Sequence, residues 1–230
     1  MPNKNLQAAK AAKKDEFYTQ LTDIEKELRH YKEHFKGKTV LCNCDDPRKS
    51  NFFVYFQHNF EHLGLKRLIT TCYRHRDVDT MGGGEEEQGV YLIYDGDKNH
   101  NNALDAEELD IRPLEGDGDF RSEECIELLK EADIVVTNPP FSLFREYVSQ
   151  LMEYEKKFLI IGNVNAISYK DVFQLIENKK IWLGASIHSG DREFGVPQDY
   201  PLNAAGYRID DKGNKFIRVK GGRWFTKGKV

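Results

Sequence analysis

Residues 133–154 read DIVVTNPPFSLFREYVSQLMEY, and they decide the fold class. The apolar run at residues 134–136 predicts a short buried strand, and the periodic apolar positions from residue 142 onward predict a helix. Strand-like runs alternate with helix-like segments through most of the chain. This alternation predicts an α/β domain with a doubly wound, mostly parallel sheet of the Rossmann-like type. The predicted strands are residues 37–44, 65–73, 89–96, 133–138, 158–163 and 181–186.

Helix boundary signals support the same organisation. Thr22 with Glu25 forms a capping-box pattern before a helix that extends to residue 35. Gly64 ends a second predicted helix, and Ser122 begins a third. The remaining predicted helices are residues 142–154 and 169–180. Beyond residue 188 glycine, proline and charge dominate, which predicts loops and a hairpin that turns at Lys212 and Gly213.

Three regions follow from this pattern. Residues 1–14 form a basic tail, residues 15–187 form the main α/β domain, and residues 188–230 form a small, irregular, basic extension. With 39% hydrophobic and 31% charged residues among 230, the chain can bury one core and stay soluble. No apolar run approaches the roughly 20 residues of a membrane span, and the N-terminus lacks the apolar core of a secretory signal. We therefore expect a cytoplasmic protein without membrane contact, and a monomer is favoured.

The turn at residues 138–141 carries the first chemical signal. A residue before proline avoids the α region, so Asn138 and Pro139 should both be extended, and neither Pro139 nor Pro140 has an N–H that would resume a helix. An amide oxygen beside a backbone carbonyl oxygen can accept both hydrogens of an –NH₂ group, and Phe141 offers a flat face for a ring. The turn therefore suits an exocyclic amine on an aromatic base, although a strand-to-loop break packed by Phe141 explains the same residues.

Longer matches place this turn in a family. The segments DEFYTQ, DIEKELRHY, CNCDDPRKSNFF, GDGDFRSEECIELLKEADIVVTNPPFSLFREY, FLIIGNVNAISYKDVF and IWLG together resemble the EcoRI-type adenine-specific DNA methyltransferases, from about residue 15 to about residue 226. The resemblance implies a class I fold, S-adenosylmethionine as methyl donor, and the N6 amino group of a flipped adenine in duplex DNA as acceptor. It implies that Asn138 and the Pro139 carbonyl hold the amine and that Phe141 stacks on the base. A restriction–modification, phage or plasmid system is the expected setting.

Donor-binding residues are expected at the carboxyl ends of the strands, where doubly wound sheets bind ligands. That rule draws attention to the residues after the first, third, fourth and fifth predicted strands. By resemblance, residues 17–20 lie over the methionine end of the donor. The alternatives are helix capping for the aspartates and for the N-terminal segment. The predicted donor-binding residues are Phe17, Tyr18, Thr19, Asn43, Asp45, Asp46, Asn51, Asp119 and Phe120.

The basic C-terminal segment predicts contact with a polyanion. The net charge is −4, yet residues 212–230 contain seven lysines and arginines and no acid. Members of the family carry more chain after residues 223–226, so residues 188–230 are a DNA-contacting region or a shortened target-recognition region. The alternatives are a binding protein without catalysis, or a methyltransferase that acts on RNA or on protein glutamine. The predicted DNA-contacting residues are Arg192, Arg218, Lys220, Arg223 and Trp224.

Residues 97–108 imitate a calcium-binding loop. Asp97, Asn99, Asn101 and Glu108 fall at the first, third, fifth and twelfth positions of such a loop. The sixth position is Asn102 where a calcium loop has glycine, and a strand precedes the segment where a helix should stand. We therefore interpret it as a hydrophilic excursion and predict no metal.

Overall fold

The computed structural model describes residues 17–44, 50–72, 89–99, 101, 108–116, 118–186, 190–198, 200 and 206–228. Twelve strands and seven α-helices lie in these ranges. The strands are β1 Tyr18–Thr19, β2 Thr39–Asn43, β3 Arg67–Cys72, β4 Val90–Tyr94, β5 Leu109–Pro113, β6 Ile134–Thr137, β7 Lys157–Asn163, β8 Trp182–Leu183, β9 Asp191–Val196, β10 Tyr207–Ile209, β11 Lys215–Lys220 and β12 Gly222–Lys227. The helices are α1 Leu21–Leu28, α2 Lys32–Phe35, α3 Asn51–His58, α4 Phe60–Leu63, α5 Glu123–Glu131, α6 Phe144–Glu153 and α7 Lys170–Glu177.

Eight strands form the main sheet, in the order β5-β4-β3-β2-β6-β7-β12-β8. The central strands β3, β2, β6 and β7 are parallel, whereas β4 and β12 each run antiparallel to both of their neighbours. All but β4 and β12 therefore point the same way, which confirms the predicted mostly parallel α/β sheet. Strands β2 and β6 are buried along their whole length, as expected of parallel strands with helices on both faces.

The reversed direction of β4 corrects one expectation from the sequence. The expectation that ligands bind after the third predicted strand assumed that this strand, β4, runs parallel to its neighbours. Because β4 is antiparallel to β3, its carboxyl end lies at the opposite edge of the sheet from those of β2, β6 and β7. β5, which the sequence did not predict, restores the common direction and carries the chain to residues 118–120 at the ligand edge. Four of the five β5 residues are exposed, so β5 has no apolar pattern to detect.

The C-terminal part is more regular than the irregular extension that the sequence predicted. β9, β10 and β11 form an antiparallel sheet with β1, in the order β1-β9-β11-β10, and β12 enters the main sheet between β7 and β8. The proposed boundary at residue 187 therefore does not separate two structural units. The sequence predicted the β10–β11 hairpin but not β9 or β12, because charged residues and glycine interrupt the apolar positions of both strands.

Several local predictions hold and one does not. Gly64 ends α4 in the left-handed region at φ +60°, and the Ser122 hydroxyl accepts a hydrogen bond from the Cys125 N–H at 3.2 Å. The β10–β11 hairpin turns through Gly213 at φ +82°. The predicted helix over residues 22–35 is instead two helices, and its N-cap is Gln20 rather than Thr22. The predicted apolar face is nonetheless buried in the core.

Candidate active site

The turn after β6 places Asn138 at the ligand edge of the sheet. Its side chain is 5% exposed, and Nδ2 donates a hydrogen bond to the carbonyl of Phe17 at 2.5 Å. The Asn138 Oδ1 atom is buried and has no hydrogen-bond partner within the described part of the chain. Buried polar atoms normally have partners, so an acceptor left in this way marks a place where a ligand group can donate.

The second proline of the turn lies outside the α region of the backbone. Pro140 has φ −52° and ψ 125°, and the backbone contains no cis peptide in the described residues. The Pro140 carbonyl accepts the Leu143 N–H at 2.9 Å, which closes a short 3₁₀ turn before α6 begins at Phe144. The chain therefore leaves β6 without folding back on Asn138.

An aromatic cluster covers the turn. The Phe141 ring is half-buried, and its centroid lies 5.4 Å from that of Phe17 and 6.3 Å from that of Phe194, with edge-to-face geometry in both pairs. The Phe17 ring also lies 6.3 Å from the ring of Tyr200. Phe194 and Tyr200 were missed by the sequence analysis because both belong to the segment read as irregular. Phe194 falls on β9, and only its pairing with β1 brings it here.

Residues 17–19 pass over the same edge, as the resemblance implied. The Asn51 Nδ2 at the start of α3 donates to the Thr19 carbonyl at 2.7 Å. Thr19 is 2% exposed, and its Oγ1 is a second buried polar atom without a partner among the described residues. Phe17, Tyr18, Thr19, Asn51, Asn138 and Phe141 thus come together at one place although they are far apart in sequence.

Asn43 lies at the end of β2, and its role there is mainly structural. The Tyr147 hydroxyl donates to Asn43 Oδ1, and the Thr137 hydroxyl donates to the Asn43 carbonyl, so both oxygens are engaged within the protein. Burial raises the pKa of Tyr147 well above its ordinary value, which keeps this hydroxyl protonated as a donor. Asp45 and Asp46, the other predicted ligands of this loop, lie outside the described residues.

Asp119 and Phe120 lie between β5 and α5. The Asp119 carboxylate forms an ion pair with Arg121 at 2.6 Å, and its side chain is 29% exposed. Phe120 is 6% exposed and packs edge-on against Tyr147, with ring centroids 5.0 Å apart. The Arg121 guanidinium lies over the Phe120 ring at 5.4 Å. Both Asp119 carboxylate oxygens accept from Arg121 while the side chain stays partly exposed, whereas the stacking face expected of Phe120 is covered in this structure.

Two of the predicted DNA-contacting arginines line one cleft. Arg192 on β9 and Arg218 on β11 border an open cleft of about 720 Å³, together with the start of α1. The Arg192 Nε is buried without a partner in the described residues. The other residues that line the cleft are Gln20, Thr22, Asp23, Gly190, Asp191 and Glu193.

The remaining predicted DNA contacts have different environments. Lys220 is exposed at the end of β11, and the Arg223 guanidinium donates to the Gly222 carbonyl at 2.8 Å. Trp224 corrects the sequence analysis, because it is 1% exposed and packs edge-on against Phe52 in the core. The aromatic interruption of a basic segment was interpreted as a stacking surface for DNA. It instead marks β12, whose Trp224 pairs with Ile161 in the main sheet.

Known proteins are similar in sequence to this chain over nearly its whole length. A family model described as "Adenine-specific methyltransferase EcoRI" matches residues 5–229. The chain belongs to this family. It is 52% identical over 224 residues to the Type II methyltransferase M.EcoRI of Escherichia coli. It is 38% identical over 220 and 221 residues to the Type II methyltransferases M.MgeORF184P of Mycoplasma genitalium and M.MpnI of Mycoplasma pneumoniae.

These family members are longer than the present chain. The matches cover 97%, 95% and 95% of this chain but 68%, 63% and 62% of the three relatives. A solved structure of a presumed RNA methyltransferase from Pyrococcus horikoshii covers 85% of this chain and 77% of its own, at 17% identity and a TM-score of 0.37. That likeness is too low to support an argument.

The described residues offer neither a membrane-spanning helix nor a metal-binding cluster. No helix in the described ranges has the length and apolar character needed to cross a bilayer. No group of three or more histidine, cysteine, aspartate or glutamate side chains in those ranges is arranged to hold a metal ion. Most of the calcium-like segment, at residues 100 and 102–107, lies outside the described residues.

Proposed function

We propose that this chain transfers a methyl group from S-adenosylmethionine to the N6 amino group of adenine in duplex DNA, as the modification enzyme of a restriction–modification system. The observation that carries the proposal is the Asn138 amide. Its Nδ2 is committed to the Phe17 carbonyl, and its Oδ1 is buried without a partner in the described chain, beside the Phe141 ring. Family membership supplies the reaction class, and this acceptor supports an amine as the group that is methylated.

The protein's part in the reaction is positioning. Asn138 Oδ1 and the Pro139 carbonyl accept the two hydrogens of the amine, which turns the nitrogen lone pair toward the donor. The bound donor supplies an electrophilic methyl group. As the nitrogen–carbon bond forms, the carbon–sulfur bond breaks, and the amine afterwards releases one proton to solvent. No strong base is required, because the proton leaves after the transfer.

The residues at the ligand edge fit a donor of this kind. The Thr19 hydroxyl is buried and unpartnered among the described residues, and it lies on the segment that we place over the methionine end. Asp119 presents its partly exposed carboxylate after β5, where an adenine amine of the donor can donate to it. We assign Asn43 to the support of this site, because Tyr147 and Thr137 already engage its oxygens.

A base that reaches Asn138 must pass the aromatic cover. The rings of Phe17 and Phe194 lie against Phe141, so a stacked base requires at least one of them to move aside. Enzymes that modify a base in duplex DNA extrude it from the stack. If the Phe17 or Phe194 ring moves away as the base arrives, the base takes its place on Phe141, and the Phe141 ring stays covered by an aromatic group.

We place the DNA along the cleft between α1, β9 and β11. The cleft combines the arginines Arg192 and Arg218 with amide, hydroxyl and carboxylate groups of Gln20, Thr22 and Asp23. Arginines bind phosphate or guanine edges, whereas carboxylates and amides accept from cytosine or pair with adenine. Glu193 in the same cleft is paired with Arg208 at 2.6 Å, so its charge is balanced within the protein. Lys220 and Arg223 are assigned to backbone contacts nearby.

The test is transfer of label from radioactive S-adenosylmethionine to duplex DNA, RNA or total protein. We expect label in N6-methyladenine of DNA, and methylation-sensitive sequencing of DNA from expressing cells then reports the target site. Label in RNA or in glutamine would assign another substrate. Donor binding by calorimetry without transfer to any of the three would establish the binding-only alternative.

A further inference from the structure

Strand β1 has two differently occupied edges. One edge pairs antiparallel with β9, with Tyr18 opposite Gly195 and Thr19 opposite Phe194. The carbonyls of Phe17 and Thr19, two residues apart, leave an extended strand on the same side. Within the described residues, no strand pairs with β1 on the side of these two carbonyls. Asn138 Nδ2 donates to the first at 2.5 Å and Asn51 Nδ2 donates to the second at 2.7 Å.

The two asparagines thus take the place of a neighbouring strand. Both belong to the main sheet region, since Asn138 directly follows β6 and Asn51 begins α3. The small sheet is therefore fastened to the catalytic edge by side-chain amides that act on the backbone of residues 17–19. A strand of two residues has few ladder bonds of its own, so these two bonds add substantially to the pairing with β9 that holds it in place.

The contact with Phe17 also determines which way the Asn138 amide faces. A backbone carbonyl can only accept, so it orients Nδ2 toward itself and leaves Oδ1 on the opposite side. An amide turned by 180° would present N–H groups to the amine hydrogens, and donor would then face donor. The orientation that binds an amine therefore depends on a carbonyl 121 residues earlier in the chain.

We propose that Asn51 is a positioning residue for methyl transfer. Through the Thr19 carbonyl it fixes residues 17–19, and the Phe17 carbonyl of that segment fixes the Asn138 amide with Oδ1 toward the amine. The hydrogen bonds from Asn51 to Thr19 and from Asn138 to Phe17 are properties of the free protein. The effect of the Asn138 orientation on methyl transfer, which is the last link, rests on the proposed function. Asn51 was expected from the sequence to face the methyl donor, and its bond to Thr19 gives it a different task.

Two substitutions separate positioning from direct donor binding. Asn51→Ser removes the long amide but remains compatible with a helix N-terminus. Asn51→Asp keeps the shape and favours the helix N-terminus, yet it sets a carboxylate against the Thr19 carbonyl. If Asn51 instead held the ammonium group of the donor, aspartate would retain or strengthen donor binding. The matched control is Asn59→Ser, because Asn59 is also half-buried and donates its amide to a backbone carbonyl, that of Tyr55 at 2.8 Å.

Hydrogen–deuterium exchange of the free protein tests the structural links. We expect the peptide that contains residues 17–20 to exchange at least tenfold faster in Asn51→Asp and Asn51→Ser, with no change there in Asn59→Ser. Unchanged exchange in both Asn51 variants would overturn the proposal whether or not the protein methylates DNA. A variant that unfolds globally loses protection in every peptide, and the serine variant then decides the question.

Steady-state methylation tests the last link. We expect kcat to fall roughly 10- to 100-fold in Asn51→Asp, with the KM for DNA within about threefold of the parent, because displaced groups cost turnover more than binding. Unchanged kcat in both Asn51 variants, with the KM for S-adenosylmethionine raised in Asn51→Ser but unchanged or lowered in Asn51→Asp, would overturn the positioning role. If the parent protein methylates no DNA, the proposed function fails, and the exchange result still decides whether Asn51 fixes residues 17–19.

Discussion

The amide nitrogen of Asn138 lies 2.5 Å from the carbonyl oxygen of Phe17, and this bond leaves the amide oxygen buried with no partner in the described residues. Asn138→Ala removes that oxygen, so we expect methylation to fall by at least ~10²-fold, since a misplaced amine costs about this much. Calorimetry should show donor affinity within about threefold of the parent. Turnover at the parent rate would remove Asn138 from the active site.

Phe141 is expected to stack on the base, so its substitution should depend on ring character rather than on size. Phe141→Leu loses the stacking face, which is worth about 1–3 kcal/mol per base, and Phe141→Tyr retains it. Fluorescence of 2-aminopurine at the target position reports base extrusion. We expect a reduced signal with leucine and a parent-like signal with tyrosine. Equal signals for the two variants would contradict a stacking role.

Asp119 should affect the methyl donor and not the DNA. Asp119→Ala removes the acceptor for the donor's adenine amine, and we expect roughly tenfold weaker binding of S-adenosylmethionine, as one charge-assisted hydrogen bond implies. Calorimetry measures this directly. Asp110→Ala is the matched control, because Asp110 also pairs with the arginine two positions on, at 2.5 Å to Arg112, but lies on the edge strand β5. Equal losses in both variants would point to a general charge effect.

The cleft arginines should contribute to the salt dependence of DNA binding. Each phosphate contact that is lost should lower the slope of log K against log salt concentration by about 0.9. We expect such a change for Arg192→Ala or Arg218→Ala in fluorescence anisotropy titrations. Lys130→Ala serves as control, because Lys130 is exposed near the end of α5 and pairs with Glu127 at 2.6 Å. An unchanged slope in both arginine variants would move the DNA to another surface.

Glu27 should contribute to stability. It is 0% exposed, and its carboxylate accepts from the N–H groups of Ala185 at 2.8 Å and Ser186 at 2.7 Å. The Tyr31 hydroxyl donates to the same carboxylate at 2.9 Å. Glu27→Ala leaves these buried donors unsatisfied, so we expect the free energy of unfolding to fall by about 3 kcal/mol.

Urea denaturation measures that loss. Glu61→Ala is a suitable comparison, since Glu61 is an exposed helix residue and its removal should change the free energy by less than about 0.5 kcal/mol. A Glu27 variant as stable as the Glu61 variant would show that solvent satisfies the freed N–H groups.

The sequence predicted the parallel core because residues 134–136 and 158–161 are continuous apolar runs, which are typical of strands covered on both faces. It also predicted that Asn138 lies at the ligand edge, since the end of a parallel strand follows from the strand itself. The pairing of strands that are distant in sequence could not be predicted from the sequence. The cover supplied by Phe194 depends on the register between β1 and β9, and no local pattern encodes a register between strands so distant in sequence.

Trp224 is a second residue whose position depends on strand pairing and not on the local sequence. An aromatic residue among lysines and arginines resembles a nucleic-acid surface when only composition is considered. Its burial follows from β12, whose alternate residues Trp224 and Thr226 are both 1% exposed, and from the neighbouring strand β7. A strand that is inserted between others late in the chain can be basic at its ends and apolar at its centre.

The position of β12 has a consequence for how the protein assembles. β8 pairs in the main sheet with β12 and with no other strand in the described residues, and the far edge of β7 is completed by β12 alone. During synthesis β7 and β8 leave the ribosome well before residues 222–227, so the edge of β7 stays unpaired until β12 has been synthesised. Completion of the sheet is thus a late step that requires a long-range contact, and such contacts form slowly. Chaperone demand and aggregation during synthesis should therefore concentrate in the interval before β12 emerges.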